Sequence, residues 1–263
     1  MKISIIGAGE MGGAFAAGLL KSNICKPEDV TVANPHEAKL ERFAQLGATV
    51  TTDNKAAVAH ADIVAIVVKP HVVETVVNEI KDELDHNRQT IVNMAASVTI
   101  AQLEKWLAKD NQVPAIFQVI PNIGIAEKAS MTFVAPNARA AAGAETERIK
   151  HIFDQLGQTM VTDERLLVAG TAMAGCGIAY VMRYIRAASE AGVELGFRAD
   201  DAKRIAVQTM YGAVKLLQEA GSHPETEIDK VTTPGGMTIR GLNAMEKNGF
   251  SNAVIEGIKA SLL

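Results

Sequence analysis

Gly7-Ala8-Gly9-Glu10-Met11-Gly12 places three glycines at a spacing with a specific chemical use. The first permits a tight turn, the second lets the backbone approach a pyrophosphate, and the third lets a helix pack closely on the preceding strand. An apolar run, Ile3 to Ile6, precedes the turn, and Phe15 and Leu19 follow it at helical spacing. The helix N-terminus then directs free N–H groups and its positive dipole end at a phosphate. The end of the second strand decides which dinucleotide is bound. There Val30-Thr31-Val32-Ala33 runs into Asn34, where an Asp or Glu would hydrogen-bond a ribose 2′-hydroxyl. Uncharged Asn34 does not repel a 2′-phosphate, its amide can donate to one, and His36 and Lys39 stand nearby. Asn34 therefore points to NADPH, while the lack of an arginine directly after it leaves NADH open.

Two further segments end predicted strands: Val67-Val68-Lys69-Pro70 and Met94-Ala95-Ala96. In an open parallel sheet the carboxyl ends of strands line the ligand crevice, so both face the cofactor, and Lys69 is placed to position cofactor or substrate. A second anion pocket is expected at Thr233-Pro234-Gly235-Gly236-Met237-Thr238, ahead of a helix carrying Ile239, Leu242 and Met245. Thr233 suits the N-cap and Pro234 the first helical position, which would expose the N–H groups of Gly236, Met237 and Thr238. In a third glycine-rich stretch, Ala174 to Tyr180, Cys176 is expected to be a small packing residue. The six histidines lack metal-ligand spacing, and Cys25 and Cys176 form neither a metal cage nor a disulfide framework, so no metal is expected.

Positioning these segments takes two kinds of architecture. Apolar runs at Ile3–Ile6, 30–33, 48–50, 63–68, 91–94 and 115–120 alternate with amphipathic stretches, the signature of βαβ units. Ile63 to Val68 shows no polar alternation, as expected where helices cover both faces of a sheet. Met131–Ala135 and Thr159–Val161 are predicted to close the sheet, with one helix from about Ala140 to Leu156 between them. After Thr162 only helical periodicity remains. Ile178, Val181, Met182 and Ile185 share one stripe; Ile205, Leu216 and Leu217 are expected to face inward on a second helix. The predicted fold is thus α/β: a Rossmann-type doubly wound domain over residues 1–162, then an all-α domain over 163–263. With no sheet beneath them, those helices are expected to bury against a second subunit.

Composition narrows the partners. The 263 residues carry 26 basic and 30 acidic side chains, a net charge of −4, with no basic block, and only 4% are aromatic. Neither counterion release nor base stacking is served, which argues against nucleic acid. Lys2 and the apolar run after it imitate a secretory signal, but Glu10 and the glycines break the pattern. The uncharged stretch from Leu166 to Met182 falls short of a membrane span and is expected to be a buried helix. A cytoplasmic protein with reduced thiols is the resulting expectation.

Ile6-Gly7-Ala8-Gly9-Glu10-Met11-Gly12-Gly13, Val67-Val68-Lys69-Pro70 and Thr233-Pro234-Gly235-Gly236-Met237-Thr238 occur in an order and spacing similar to those of pyrroline-5-carboxylate reductases. The likeness spans nearly the whole chain, including Ala95 to Ile100 and Pro121-Asn122-Ile123. It implies a Rossmann domain, a helical dimerisation domain forming a homodimer or a larger assembly of dimers, and NAD(P)H-dependent reduction of a small cyclic imino acid to L-proline. By position it implies cofactor contacts at Ile6, Gly7, Ala8, Gly9, Glu10, Met11 and Gly12, at Asn34 and Asn54, at Val67 to Pro70, and at Met94, Ala95 and Ala96. Met237 and Thr238 fall where that family holds the substrate carboxylate and ring nitrogen, with Glu164 a further substrate-side residue and Thr238 the catalytic candidate. Where that family has Ser-Gly-Ser-Gly-Pro-Ala-Tyr, this chain has Ala174-Gly175-Cys176-Gly177-Ile178-Ala179-Tyr180, so those serine hydroxyls are absent. Met237 stands for a more usual Thr or Ala, and Lys230 for an occasional asparagine. A β-hydroxyacid dehydrogenase would need a lysine between Gly177 and Phe197, where only Arg183 and Arg186 occur. A non-catalytic NADP-binding regulator would not need the 233–238 turn.

Overall fold

A computed structural model describes residues 1–262, which fall into two compact units, one over Met1–Gly175 and the other from Cys176 onward. The first unit is built on eight strands: β1 (Ile3–Ile6), β2 (Val30–Ala33), β3 (Thr49–Thr51), β4 (Ile63–Ile66), β5 (Thr90–Asn93), β6 (Ala115–Ile120), β7 (Ser130–Pro136) and β8 (Gly157–Val161). They lie in the order β3, β2, β1, β4, β5, β6, β7, β8. The first six are parallel, in the doubly wound order whose direction reverses between β1 and β4. β7 runs antiparallel to β6. The short link between Ile120 and Ser130 has no room for the crossover that a parallel strand needs.

The helices of this unit are α1 (Glu10–Lys21), α2 (Glu41–Gln45), α3 (Asn54–Val58), α4 (Pro70–Ile80), α5 (Ile100–Leu107), α6 (Ala138–Ala141), α7 (Glu145–Asp154) and α8 (Leu167–Gly170). They cover both faces, which is why the central strands are apolar on both sides. Ile3 and Ile5 of β1 join Phe15, Leu19, Phe43 and Phe153 on one face, while Ile6 joins Val73, Val77, Ile80 and Leu103 on the other. The single helix expected from Ala140 to Leu156 is two. Asn137 caps α6 through its side chain, and Gly143, a poor helix former, lies in the break before α7. Contacts carry this unit past Thr162: Leu167 is buried with Ile100, Ile120 and Ala135, and Gly170 lies against the Phe133 ring.

The second unit comprises α9 (Gly177–Glu194), α10 (Ala199–Ala220), α11 (Pro224–Lys230), α12 (Met237–Lys247) and α13 (Phe250–Ala260). Gly192 of α9 admits Ala202 of α10, and Tyr184 meets Phe250 edge to face at 6.3 Å. Only Ala202 and Ala206 are buried in these helices. Ile205 and Leu216, expected inward, are exposed, as are Val181 and Met182. The apolar stripes are present, but among the described residues of these helices their side chains stand exposed. The expectation of a short, buried helix at Leu166 to Met182 is likewise corrected. The helical run continues through Arg183 and Arg186, and Glu164–Glu194 is long and apolar enough to cross a membrane by length and composition alone.

Candidate functional site

In the first unit, the residues singled out in the sequence gather at the carboxyl ends of β1, β2, β4 and β5. Gly7 leaves β1 with φ +107°, a conformation a side chain would strain, and a β-carbon there would sit 2.5 Å from the Val67 carbonyl oxygen. A β-carbon on Gly12 would sit 1.9 Å from the Gly7 carbonyl, so turn and helix close on each other only without side chains. Gly9 faces open space within 4 Å. It caps α1 without a side-chain bond, and the first N–H to turn back is that of Gly13, to the Gly9 carbonyl at 2.7 Å. Glu10, Met11 and Gly12 therefore hold N–H groups without helical acceptors beside an open approach. Such a cradle fits a pyrophosphate.

The remaining dinucleotide candidates have varied roles. Asn34 is buried and partly committed: its Oδ1 accepts the Ala8 N–H at 3.2 Å and its Nδ2 donates to the His36 carbonyl at 3.2 Å. It braces the glycine turn, and the second N–H of its amide is left for a further acceptor. Asn54 opens α3, and its Nδ2 donates to Glu79 at 2.9 Å. β4 ends at Ile66, so Val67 and Val68 lie in the loop beyond it, with the Val67 N–H donating to Ile6. Exposed Lys69 caps α4 and Pro70 takes its first position.

After β5, Met94 and Ala95 are buried and Ala96 is half-buried. This loop is held by groups that sequence reasoning missed. Asn93 and Gln118 are register partners on β5 and β6. Asn93 Nδ2 donates to Gln118 Oε1 at 2.7 Å, and both amides donate to the Ala95 carbonyl, at 3.1 and 2.9 Å. Ser97, next along, has φ +68°. A cleft of about 320 Å³ opens here, lined by Ala96, Ser97, Gln118, Glu164 and Thr171 among others. The Glu164 carboxylate accepts the Ile100 N–H at 2.6 Å, tying the start of α5 to the chain beyond β8.

In the second unit, the helix after the Pro-Gly-Gly segment begins later than expected. Gly236 is the N-cap of α12, and Thr233 and Pro234 lie in a turn before it. The Gly236 N–H donates to the Thr233 carbonyl at 2.9 Å across Pro234 and Gly235, and Gly235 has φ +68°. Proline followed by a positive-φ glycine is the arrangement of a type II turn, which overrides the capping preference of Thr233. Gly236 therefore cannot supply an N–H to an anion. Met237 and Thr238, first and second in α12, carry the N–H groups without helical acceptors, and Met237 is 89% exposed. Arg240 Nη2 donates to the Gly235 carbonyl at 3.0 Å, bringing positive charge over the turn.

Among the described residues no three His, Cys, Asp or Glu side chains converge as a metal site would require. His86 is buried with Nε2 unpartnered, and burial together with Lys109 and Arg139 holds its pKa below the usual histidine value.

The comparisons with known proteins agree along the whole chain. A family model described as pyrroline-5-carboxylate reductase dimerisation matches residues 164–263, and one described as NADP oxidoreductase coenzyme F420-dependent matches residues 2–97. Pyrroline-5-carboxylate reductase 1 of Dictyostelium discoideum is 39% identical over 98% of this chain, which spans about half (48%) of that longer relative. Pyrroline-5-carboxylate reductase 2 of the same organism is 36% identical, with 98% of this chain and 90% of the relative covered. The crystal structure of Plasmodium falciparum pyrroline carboxylate reductase with NADP bound superposes with a TM-score of 0.88 at 25% identity, covering 100% of this chain and 95% of that one.

Proposed function

The chain belongs to the pyrroline-5-carboxylate reductase family, and from that membership we propose that it reduces 1-pyrroline-5-carboxylate to L-proline with NADPH. One observation carries the proposal: a single chain holds both an open glycine cradle at α1 and a second helix start, at Met237 and Thr238, with free N–H groups. NADPH, when bound, supplies a hydride to the imine carbon. The backbone of Glu10 to Gly12 holds its pyrophosphate, and the peptides of Val67 to Pro70 and Met94 to Ala96 border it. The Asn93 and Gln118 amides fix the Ala95 peptide, and Glu164 fixes the start of α5. Met237 and Thr238 N–H groups bind the substrate carboxylate, as helix N-termini bind other anions. The Thr238 hydroxyl hydrogen-bonds the ring nitrogen and orients the imine. A threonine hydroxyl is too weak an acid to act alone, so the ring nitrogen takes its proton from water or arrives already protonated.

Self-association belongs to the same proposal. Tyr211, Leu216, Val193 and Phe197 stand exposed on the helical unit, and the family model matched there is one of dimerisation. A homodimer, or a larger assembly of dimers, buries them along with the apolar length of α9; sedimentation of a stable monomer at micromolar concentration would remove this part. A cytoplasmic location accords with two unpaired cysteines. The activity is tested by following NADPH absorbance on addition of pyrroline-5-carboxylate, with proline formation measured alongside. NADPH consumption that depends on the imine supports the proposal, and binding without turnover refutes it in favour of a non-catalytic NADP-binding protein.

A further inference from the structure

We infer that Arg42, assisted by Lys39, is the clamp for the 2′-phosphate of NADPH and sets the preference over NADH; this rests on the reductase reading above. Asn34, the residue at the usual selectivity position, is uncharged, with its Oδ1 on the Ala8 N–H and one of its two amide N–H groups on the His36 carbonyl. The charge that a 2′-phosphate needs must come from elsewhere. A cleft of about 440 Å³ beside the glycine cradle is lined by Ala8, Gly9, Glu10, Lys39, Glu41 and Arg42, among others. Neither cation takes part in an ion pair among the described residues, although Glu10 and Glu41 border the same cleft.

Arg42 is also prearranged. Its guanidinium stacks over the ring of buried Phe43, with 4.5 Å between its central carbon and the ring centroid. Stacking leaves the N–H edge of the fork free, and that edge is what pairs with phosphate in a bidentate fashion. The glycine run explains how it gets there. Gly13 has no part in the Gly7, Gly9, Gly12 spacing, yet a β-carbon on it would lie 2.1 Å from Arg42 Nη2. The extra glycine makes room for the arginine against the first turn of α1, next to the N–H groups proposed to hold the pyrophosphate.

The test is equilibrium titration of NADPH and of NADH, by nicotinamide fluorescence, on the wild-type protein and on Arg42→Ala, Arg42→Gln and Gly13→Ala. Losing a bidentate charge-assisted contact lowers the ratio of NADH to NADPH dissociation constants by roughly 10- to 50-fold in both Arg42 variants. Gly13→Ala lowers the same ratio by displacing the guanidinium, while thermal unfolding shows an intact fold. A wild-type protein that binds NADPH more tightly than NADH and keeps that ratio within about twofold in the Arg42 variants overturns the inference. Equal wild-type affinity for both cofactors overturns it too. A wild-type protein that binds neither removes the reductase reading itself, a separate outcome.

Discussion

Replacing Gln118 with leucine tests whether the loop after β5 is held by the buried amide pair. Gln118 is almost fully buried and makes two bonds within this network, donating to the Ala95 carbonyl at 2.9 Å and accepting from Asn93 at 2.7 Å. Leucine has similar bulk, so the cavity contribution is small. Each lost bond is worth about 1 kcal/mol net, and the Asn93 N–H left without Gln118 adds a desolvation cost of about 1–3 kcal/mol. Ala95 keeps its bond from Asn93 at 3.1 Å, and the buried leucine recovers part of the loss. The expected destabilisation is therefore about 2–3 kcal/mol. Urea unfolding at fixed protein concentration reads it as a fall in midpoint of about 1 M at an m-value of about 2–3 kcal/mol/M. Asn93→Val combined with Gln118→Leu removes both partners, and the double variant is expected to lose clearly less than the sum of the singles. The loop consequence is kinetic: kcat falls in Gln118→Leu under conditions where the protein is fully folded. A change below about 0.5 kcal/mol in the single variant, or strict additivity in the double, would refute the argument that this network braces Ala95.

Three other outcomes can be checked directly. Gly12→Ala must open a 1.9 Å contact with the Gly7 carbonyl, and NADPH affinity measured by titration is expected to drop by about tenfold or more; unchanged affinity would mean the turn does not bind the pyrophosphate. Thr238→Ala, at an exposed position in the first turn of α12, is expected to leave stability within about 0.5 kcal/mol while lowering kcat by roughly tenfold or more, and unaltered kinetics would remove Thr238 from the mechanism. For His86 the folded pKa lies below the unfolded one, so the unfolded chain takes up the proton first as pH falls. Its contribution to stability is complete above about pH 6.5 and is lost on acidification below that, with a slope of at most about 1.4 kcal/mol per pH unit; denaturation midpoints across pH 5 to 8 should show a shallower acid limb in His86→Asn, and equal slopes would refute it.

How much of this was readable without coordinates differs from place to place. The unbroken apolar stretch at Ile63 to Ile66 announced a strand covered on both faces, and the glycine turn announced its own neighbours, because both signals are local in the chain. Thr233-Pro234 was misread as a helix start because proline suits both the first helical position and the second position of a type II turn; the positive φ of Gly235 decides between them. The bracing of the glycine turn by Asn34 was not legible, because its partner, the Ala8 N–H, comes from another loop. Asn93 and Gln118 meet only through the β5 to β6 register, which no single strand encodes. Gly13 was the one overlooked local sign, a glycine in excess of the motif. On the helical unit the periodicity of Ile205 and Leu216 was correct as a pattern, but what covers it is not specified by the helix itself.

The strand order bears on how the chain is made. β1 comes near the amino end, yet it lies inside the sheet between β2 and β4, with Ile3 opposite both Val30 and Ile63. During synthesis at about 5–20 residues per second, β1 and β2 emerge seconds before β4, so one edge of β1 waits unpaired with its apolar side chains exposed. The glycine turn shares this delay, since Gly7 packs against Val67. The nucleotide cradle therefore cannot take shape on the ribosome until β4 has emerged, and a nascent chain cut short before Ile63 would present an open, aggregation-prone edge rather than a partial binding site.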